Sequence, residues 1–143
     1  MSVDRAFIDT NVFIYIQRTD EPDKTKISER TIDYFDCIVS TQVLNETCNV
    51  LTKKYQSPKY EVKRVLHSIQ ESCTIVTITY DYPAKALDYH SKYSISYYDA
   101  LMIVAALEAD CKYLISEDMQ DGLIIDQKLQ IVNIYKHTDL LQR

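Results

Sequence analysis

A chain of 143 residues falls in the usual size range of one domain and is long enough to bury a single core. Its net charge of −5 argues against wholesale electrostatic wrapping of nucleic acid, yet leaves room for a locally basic site, and a bound cation would neutralise part of it. The single glycine, Gly122, excludes more: G-x-G-x-x-G, G-x-x-x-x-G-K-[ST] and G-x-S-x-G all need further glycines, so dinucleotide-binding, phosphate-loop and nucleophile-elbow readings fall away in their usual forms.

Val3 to Ile8 reads as a first strand, rich in apolar residues. Thr10 to Gln17 continues as a short helix and Lys24 to Phe35 as another, with Pro22 and Asp23 marking the break. Cys37 to Ser40 is a second strand. Thr41 to Tyr55 then forms a helix whose stripe of Val43, Leu44, Thr47, Val50 and Leu51 has Glu46 at its edge, turned toward the sheet margin. Ser57-Pro58 starts a helix running to about Ser72, since proline is tolerated in the first helical turn. Thr74 to Ile78 is a third strand, and Tyr82-Pro83 opens a helix to about Tyr93. From Tyr97 to about Ala109 the chain is apolar nearly all round, which places that helix in the interior. Lys112 to Ser116 and Gln130 to Ile134 complete a set of about five strands. Strands alternating with helices imply parallel crossovers, with helices on both faces of a central sheet. We expect one domain over residues 1–143, without a linker or repeat.

Other chemistry is limited by spacing. The histidines, His67, His90 and His137, are too scattered for H-E-x-x-H. Cys37, Cys48, Cys73 and Cys111 form no C-x-x-C pair and read as buried free thiols. The longest uncharged apolar stretch, Ala100 to Leu107, is too short to cross a bilayer, and nothing resembles a signal peptide. A cytoplasmic protein is expected.

Four carboxylates stand where strands end or helices begin. Asp9 follows the first strand and Asp118 lies two residues past Ser116 at the end of the fourth, so both point toward the crevice where parallel α/β sheets bind ligands. Each has a structural alternative. Asp9 suits a helix N-cap and Asp118 a cap or turn, while Asp121 with Gly122 reads as a turn. Asp99 is the only acid on the otherwise apolar stretch from Tyr98 to Leu107, although with Ser96 as N-cap it occupies the third helical position and suits a capping box. Glu46, beside an apolar stripe, reads by itself as solvated surface and gains a site role only from the four positions together.

In order along the chain, these residues resemble the motifs of PIN-domain proteins, most of all the short single-domain VapC-type ribonuclease toxins. Phe7-Ile8-Asp9-Thr10-Asn11-Val12 is similar to the family's opening strand and acid, and Glu46 falls in its second motif. Ser96-Tyr97-Tyr98-Asp99-Ala100-Leu101 resembles the third, and Leu114 to Gly122 the fourth, in the variant with serine before the terminal acids. Glu117, Asp118 and Asp121 compete for the last position, which motif order assigns to Asp118.

The resemblance implies a three-layer α/β/α domain and Mg2+ or Mn2+ held by Asp9, Glu46, Asp99 and Asp118. It also implies hydrolysis of RNA phosphodiester bonds, a homodimer and a small antitoxin partner. Within such a site Thr10, Asn11 and Ser116 are hydrogen-bonding candidates behind the acids, or else satisfy turn and cap groups. Lys53, Lys54, Lys59, Lys63 and Arg64, opposed only by Glu61, form the one clear basic patch. They would either guide an RNA backbone, with Tyr55 and Tyr60 stacking on bases, or make a solvated helical face. Tyr80, Tyr82, Tyr97 and Tyr98 would line the cleft or pack a dimer interface.

Rival functions are weaker on residue grounds. An aspartyl-nucleophile phosphatase needs a second acid two residues beyond Asp9, where Asn11 stands, and receiver domains need an acidic pair before their phosphoacceptor strand. A solitary PIN nuclease outside a toxin pair remains an alternative, as does a non-catalytic PIN-fold nucleic-acid-binding module, although all four acids are present.

Overall fold

The structure, a computed structural model, describes residues 3–142. Its six strands are β1 (Arg5–Ile8), β2 (Asp36–Ser40), β3 (Thr74–Val76), β4 (Tyr113–Ile115), β5 (Ile124–Ile125) and β6 (Leu129–Val132). They form one sheet in the order β3-β2-β1-β4-β6-β5, parallel except where β5 pairs with β6. Ala6, Phe7 and Ile8 of β1 are wholly buried, as expected for a central parallel strand covered on both faces.

The helices are α1 (Thr10–Gln17), α2 (Pro22–Tyr34), α3 (Thr41–Asn49), α4 (Lys59–Ser72), α5 (Tyr82–Tyr93) and α6 (Tyr97–Glu108). The chain moves from β1 outward to β2 and β3, then crosses back to β4 on the other side of β1. Right-handed crossovers in opposite directions leave their helices on opposite faces. The packing follows: α1 lies on α2 and α3, and α3 on α4, while α5 packs on α6 and α6 on β2. Every residue of α6 from Ala100 to Ala106 is buried. The change of direction between β1 and β4 opens a crevice at their carboxyl ends, the position where such sheets bind ligands.

Several boundaries differ from the sequence-based expectation. Pro22 and Asp23 begin α2 instead of separating two helices, because proline fits the first helical position and an acid suits the first turn. The helix expected over Thr41 to Tyr55 is α-helical only to Asn49 and widens to π-helical hydrogen bonding over Val50–Lys54. The two-residue strand β5 was not expected. Its hairpin to β6 has positive φ at both Asp126 (51°) and Gln127 (58°), a turn usually marked by glycine. Here the Asp126 carboxylate is pinned instead by Tyr89 Oη at 2.6 Å and Lys92 Nζ at 3.2 Å. All four cysteines are free thiols, with Cys37 and Cys111 buried but Cys48 and Cys73 only partly so. No helix among the described residues is long and apolar enough to cross a membrane.

Candidate active site

Asp9 stands one residue past β1 and is 6% exposed. It is both the N-cap of α1 and an acid of the crevice: Oδ1 accepts from the Thr10 N–H at 2.7 Å and Oδ2 from Ser116 Oγ at 2.9 Å. Ser116, itself buried, also accepts from the Asp118 and Met119 N–H groups at 3.3 Å. The Ser116 N–H is tied to Val132 O and the Asp9 N–H to Ile115 O, both at 3.0 Å, so adjacent strand ends set the spacing.

Glu46 projects from α3 and is held from two sides. Thr10 Oγ1 donates to Oε2 at 3.1 Å, and Gln42 Nε2 donates to Oε1 at 3.0 Å. Asp99 sits in the first turn of α6, where the Ser96 hydroxyl accepts from its N–H at 3.2 Å as N-cap. Asp118 is exposed and accepts from Asn11 Nδ2 at 2.8 Å.

The four carboxylates line one open cleft of about 240 Å³ together with Thr10, Asn11, Asn49, Val50 and Met102. No lysine or arginine belongs to that lining. Burial, then repulsion from Glu46 and Asp118, pushes the Asp9 carboxyl up to about 6 against the pull of its two hydrogen bonds. Burial also raises Asp99, with Asp118 and Glu46 adding to the effect. Carboxylates that raise one another's affinity for protons offer the same charge to a cation. Among the described residues no three acidic, histidine or cysteine side chains close into a ready-made metal cage. The open spacing suits a hydrated hard cation, which keeps several waters and needs few direct carboxylates. Behind Glu46, Gln42 Oε1 is buried and without a hydrogen-bond partner.

The other acids of the fourth motif lie elsewhere. Glu117 accepts from Tyr15 Oη and Lys24 Nζ, each at 2.6 Å, which draws its carboxyl below the ordinary range although burial opposes this. Asp121 accepts from the Asn133 N–H at 2.8 Å and lies 2.7 Å from His137 Nε2, beside Gly122 in its turn at φ +87°. None of Lys53, Lys54, Lys59, Lys63 and Arg64 lines the cleft; all five are exposed. Lys53 and Lys54 end the π-helical segment that begins at Val50, a residue of the cleft lining. Tyr55 carries the Arg18 guanidinium 4.4 Å above its ring, extending the patch to a residue not singled out from sequence. Tyr60 and Tyr98 are exposed, whereas Tyr82 is buried. Gln42, Asn49 and Met102 also escaped the sequence reading, since a glutamine one helical turn before Glu46 looks like ordinary helix surface.

A family model described as the PIN domain matches residues 6–120. Among proteins of curated function none matches this sequence. Solved structures of similar fold include a toxin–antitoxin complex from Klebsiella pneumoniae, with TM-score 0.67 and 18% identity over 90% of this chain and 96% of that one. VapC20 of Mycobacterium tuberculosis, a sarcin-ricin loop cleaving toxin, gives TM-score 0.65 and 15% identity over 79% of this chain and 91% of its own. VapBC2 from Rickettsia felis, bound to a promoter DNA fragment, gives TM-score 0.63 and 14% identity over 90% and 99%. At such identities these likenesses speak for the fold, while the family model spans most of the chain and takes in every acid of the cleft: the chain belongs to the PIN domain family.

Proposed function

We propose that the chain is a divalent-cation-dependent endoribonuclease that hydrolyses RNA phosphodiester bonds, and that it is the toxin of a type II toxin–antitoxin pair. The observation that carries this reading is one cleft lined by Asp9, Glu46, Asp99 and Asp118 with no basic side chain to offset them. Oxygen-only donors favour Mg2+ or Mn2+ over softer metals. In this reading Asp9 and Asp99 are direct ligands, and Glu46 and Asp118 are direct or water-mediated ones. When bound, the cation would supply a nucleophilic water and offset charge on the phosphoryl and leaving oxygens.

The remaining residues orient those ligands. Ser116 holds Asp9, Thr10 holds Glu46 and Asn11 holds Asp118 through the hydrogen bonds described above. Lys53, Lys54, Lys59, Lys63 and Arg64 contact the RNA backbone, with exposed Tyr60 available for base stacking. A small antitoxin partner is supported by the toxin–antitoxin assemblies among the structural relatives. A homodimer in the cytoplasm completes the proposal.

Purified protein incubated with structured RNA and Mg2+ or Mn2+ is expected to cleave it, and EDTA or Asp99→Asn to stop cleavage. Cleavage that survives either treatment would sink the metal-nuclease reading. Expression of the intact chain is expected to arrest growth, and of Asp9→Asn not to. Cleavage without growth arrest would favour a solitary PIN nuclease, and RNA binding without cleavage a non-catalytic module.

A further inference from the structure

Gln42 lies in the first turn of α3 and is 9% exposed. Both hydrogens of its side-chain amide are used. Nε2 donates to Glu46 Oε1 at 3.0 Å and to the main-chain oxygen of Tyr98, also at 3.0 Å. Tyr98 immediately precedes Asp99 at the start of α6. One buried amide therefore runs from the carboxylate on α3 to the first turn of the helix bearing Asp99.

Chemistry settles which way the amide points: reversed, its oxygen would face two acceptors, a carboxylate and a carbonyl. The other Glu46 oxygen is held by Thr10, the neighbour of Asp9. Thr10, Glu46 and Gln42 thus form one hydrogen-bonded bridge linking the starts of α1 and α6 through α3. A bond made inside the protein holds its partners more firmly than one made in water.

We propose that Gln42 is a positioning residue, which sets the separation of Glu46 and Asp99 so that both address one divalent cation. This inference rests on the reading of the acidic cleft as a cation site.

The test is calorimetric titration of Mn2+ into metal-free wild type, Gln42→Met, Glu46→Gln and the double variant. Methionine keeps the length of glutamine and removes both donors. Gln42→Met is expected to bind Mn2+ about 10- to 100-fold more weakly, the usual cost of losing a group that orients a ligand. In the Glu46→Gln background the same change is expected to add little, because the effect runs through Glu46. Equal Mn2+ affinity in wild type and folded Gln42→Met overturns the positioning role alone, as does a full additive loss in the double variant. No Mn2+ binding by wild type overturns the cation site itself.

Should Gln42→Met fail to fold, the wild type carries the test by NMR. The Gln42 side-chain amide resonances are expected to shift during a Mg2+ titration with the same midpoint as the Glu46 and Asp99 backbone amides. An unmoved Gln42 amide at saturating Mg2+ overturns the proposal.

Discussion

Ser116 donates its hydroxyl hydrogen to Asp9 Oδ2 at 2.9 Å while its oxygen takes the Asp118 N–H at 3.3 Å, so one buried serine serves two acids of the cleft. Its hydrogen bond is the largest influence holding the Asp9 carboxyl down against burial. Ser116→Ala removes it and leaves two backbone N–H groups short of an acceptor. We expect a stability loss of about 2 kcal/mol, since the bond involves a charged partner. The Asp9 carboxyl should rise further, moving the acid limb of the cleavage rate to higher pH. Urea unfolding and a pH–rate series in Mn2+ read the two effects; an unmoved acid limb would separate Ser116 from Asp9.

Asp9 also gives the metal-free protein a characteristic pH dependence. Its carboxyl titrates near 6 when folded and near 3.8 when unfolded, so the folded state holds the proton more tightly. The contribution to stability is complete below pH 3.8 and is lost as pH rises through 6. That shift corresponds to roughly 3 kcal/mol. Asp121 and Asp126, lowered by their partners, act in the opposite sense and lose stability as pH falls. The difference between wild type and Asp9→Asn isolates the Asp9 part. In EDTA, wild type should lose stability relative to Asp9→Asn between pH 4 and pH 6.5, about the window of that titration, and saturating Mg2+ should reverse the loss. A flat difference curve in EDTA contradicts the assignment.

Asp9, Asp99 and Asp118 were legible in sequence because each sits near an element end with local punctuation, whereas Glu46, inside α3, stood out only through the family resemblance. Asp9 follows the buried apolar run Ala6-Phe7-Ile8, and Ser96 caps the helix that bears Asp99. Their company was not. Glu117 and Asp118 are adjacent, and only the reach of Lys24 and Tyr15 shows which one faces away from the cleft. Gln42 gave no signal because its partners are a residue four positions on and a carbonyl 56 positions away. The β5–β6 hairpin was missed because its turn residues, Asp126 and Gln127, lack the expected glycine, and the stabilising hydroxyls come from α5. The π-helical widening over Val50–Lys54 spans about a single turn, too short a stretch for periodicity to reveal.

The fourth motif can be resolved by comparing three isosteric variants. Asp118→Asn is expected to lower cleavage at least 10-fold, the low end for a ligand-orienting change, with little change in stability because the side chain is exposed. Glu117→Gln should do the reverse, costing about 1 kcal/mol by weakening its partly buried pair with Lys24 while cleavage persists. Asp121→Asn should likewise leave cleavage intact. Thermal denaturation beside an initial-rate assay distinguishes them, and loss of cleavage in Glu117→Gln with Asp118→Asn active would transfer the role to Glu117.

The basic patch makes a prediction independent of the metal. Lys53, Lys54 and Lys63 are exposed, line no part of the acidic cleft, and have no carboxylate ion pair among the described residues. If they bind RNA phosphates, their contribution is counterion release, which gives a salt slope of about −0.7 per contact on single strands. Replacing all three with alanine should therefore flatten the plot of log affinity against log salt by about 2 units and raise KM. The turnover rate at saturating RNA should stay near that of wild type, since no acid or its orienting partner is touched. Fluorescence anisotropy with catalytically silent Asp99→Asn protein, over a salt series, measures the slope directly. An unchanged slope would identify these lysines as solvated helix surface and send the search for the RNA path to the other rim, where Tyr98 stands exposed beside Asp99.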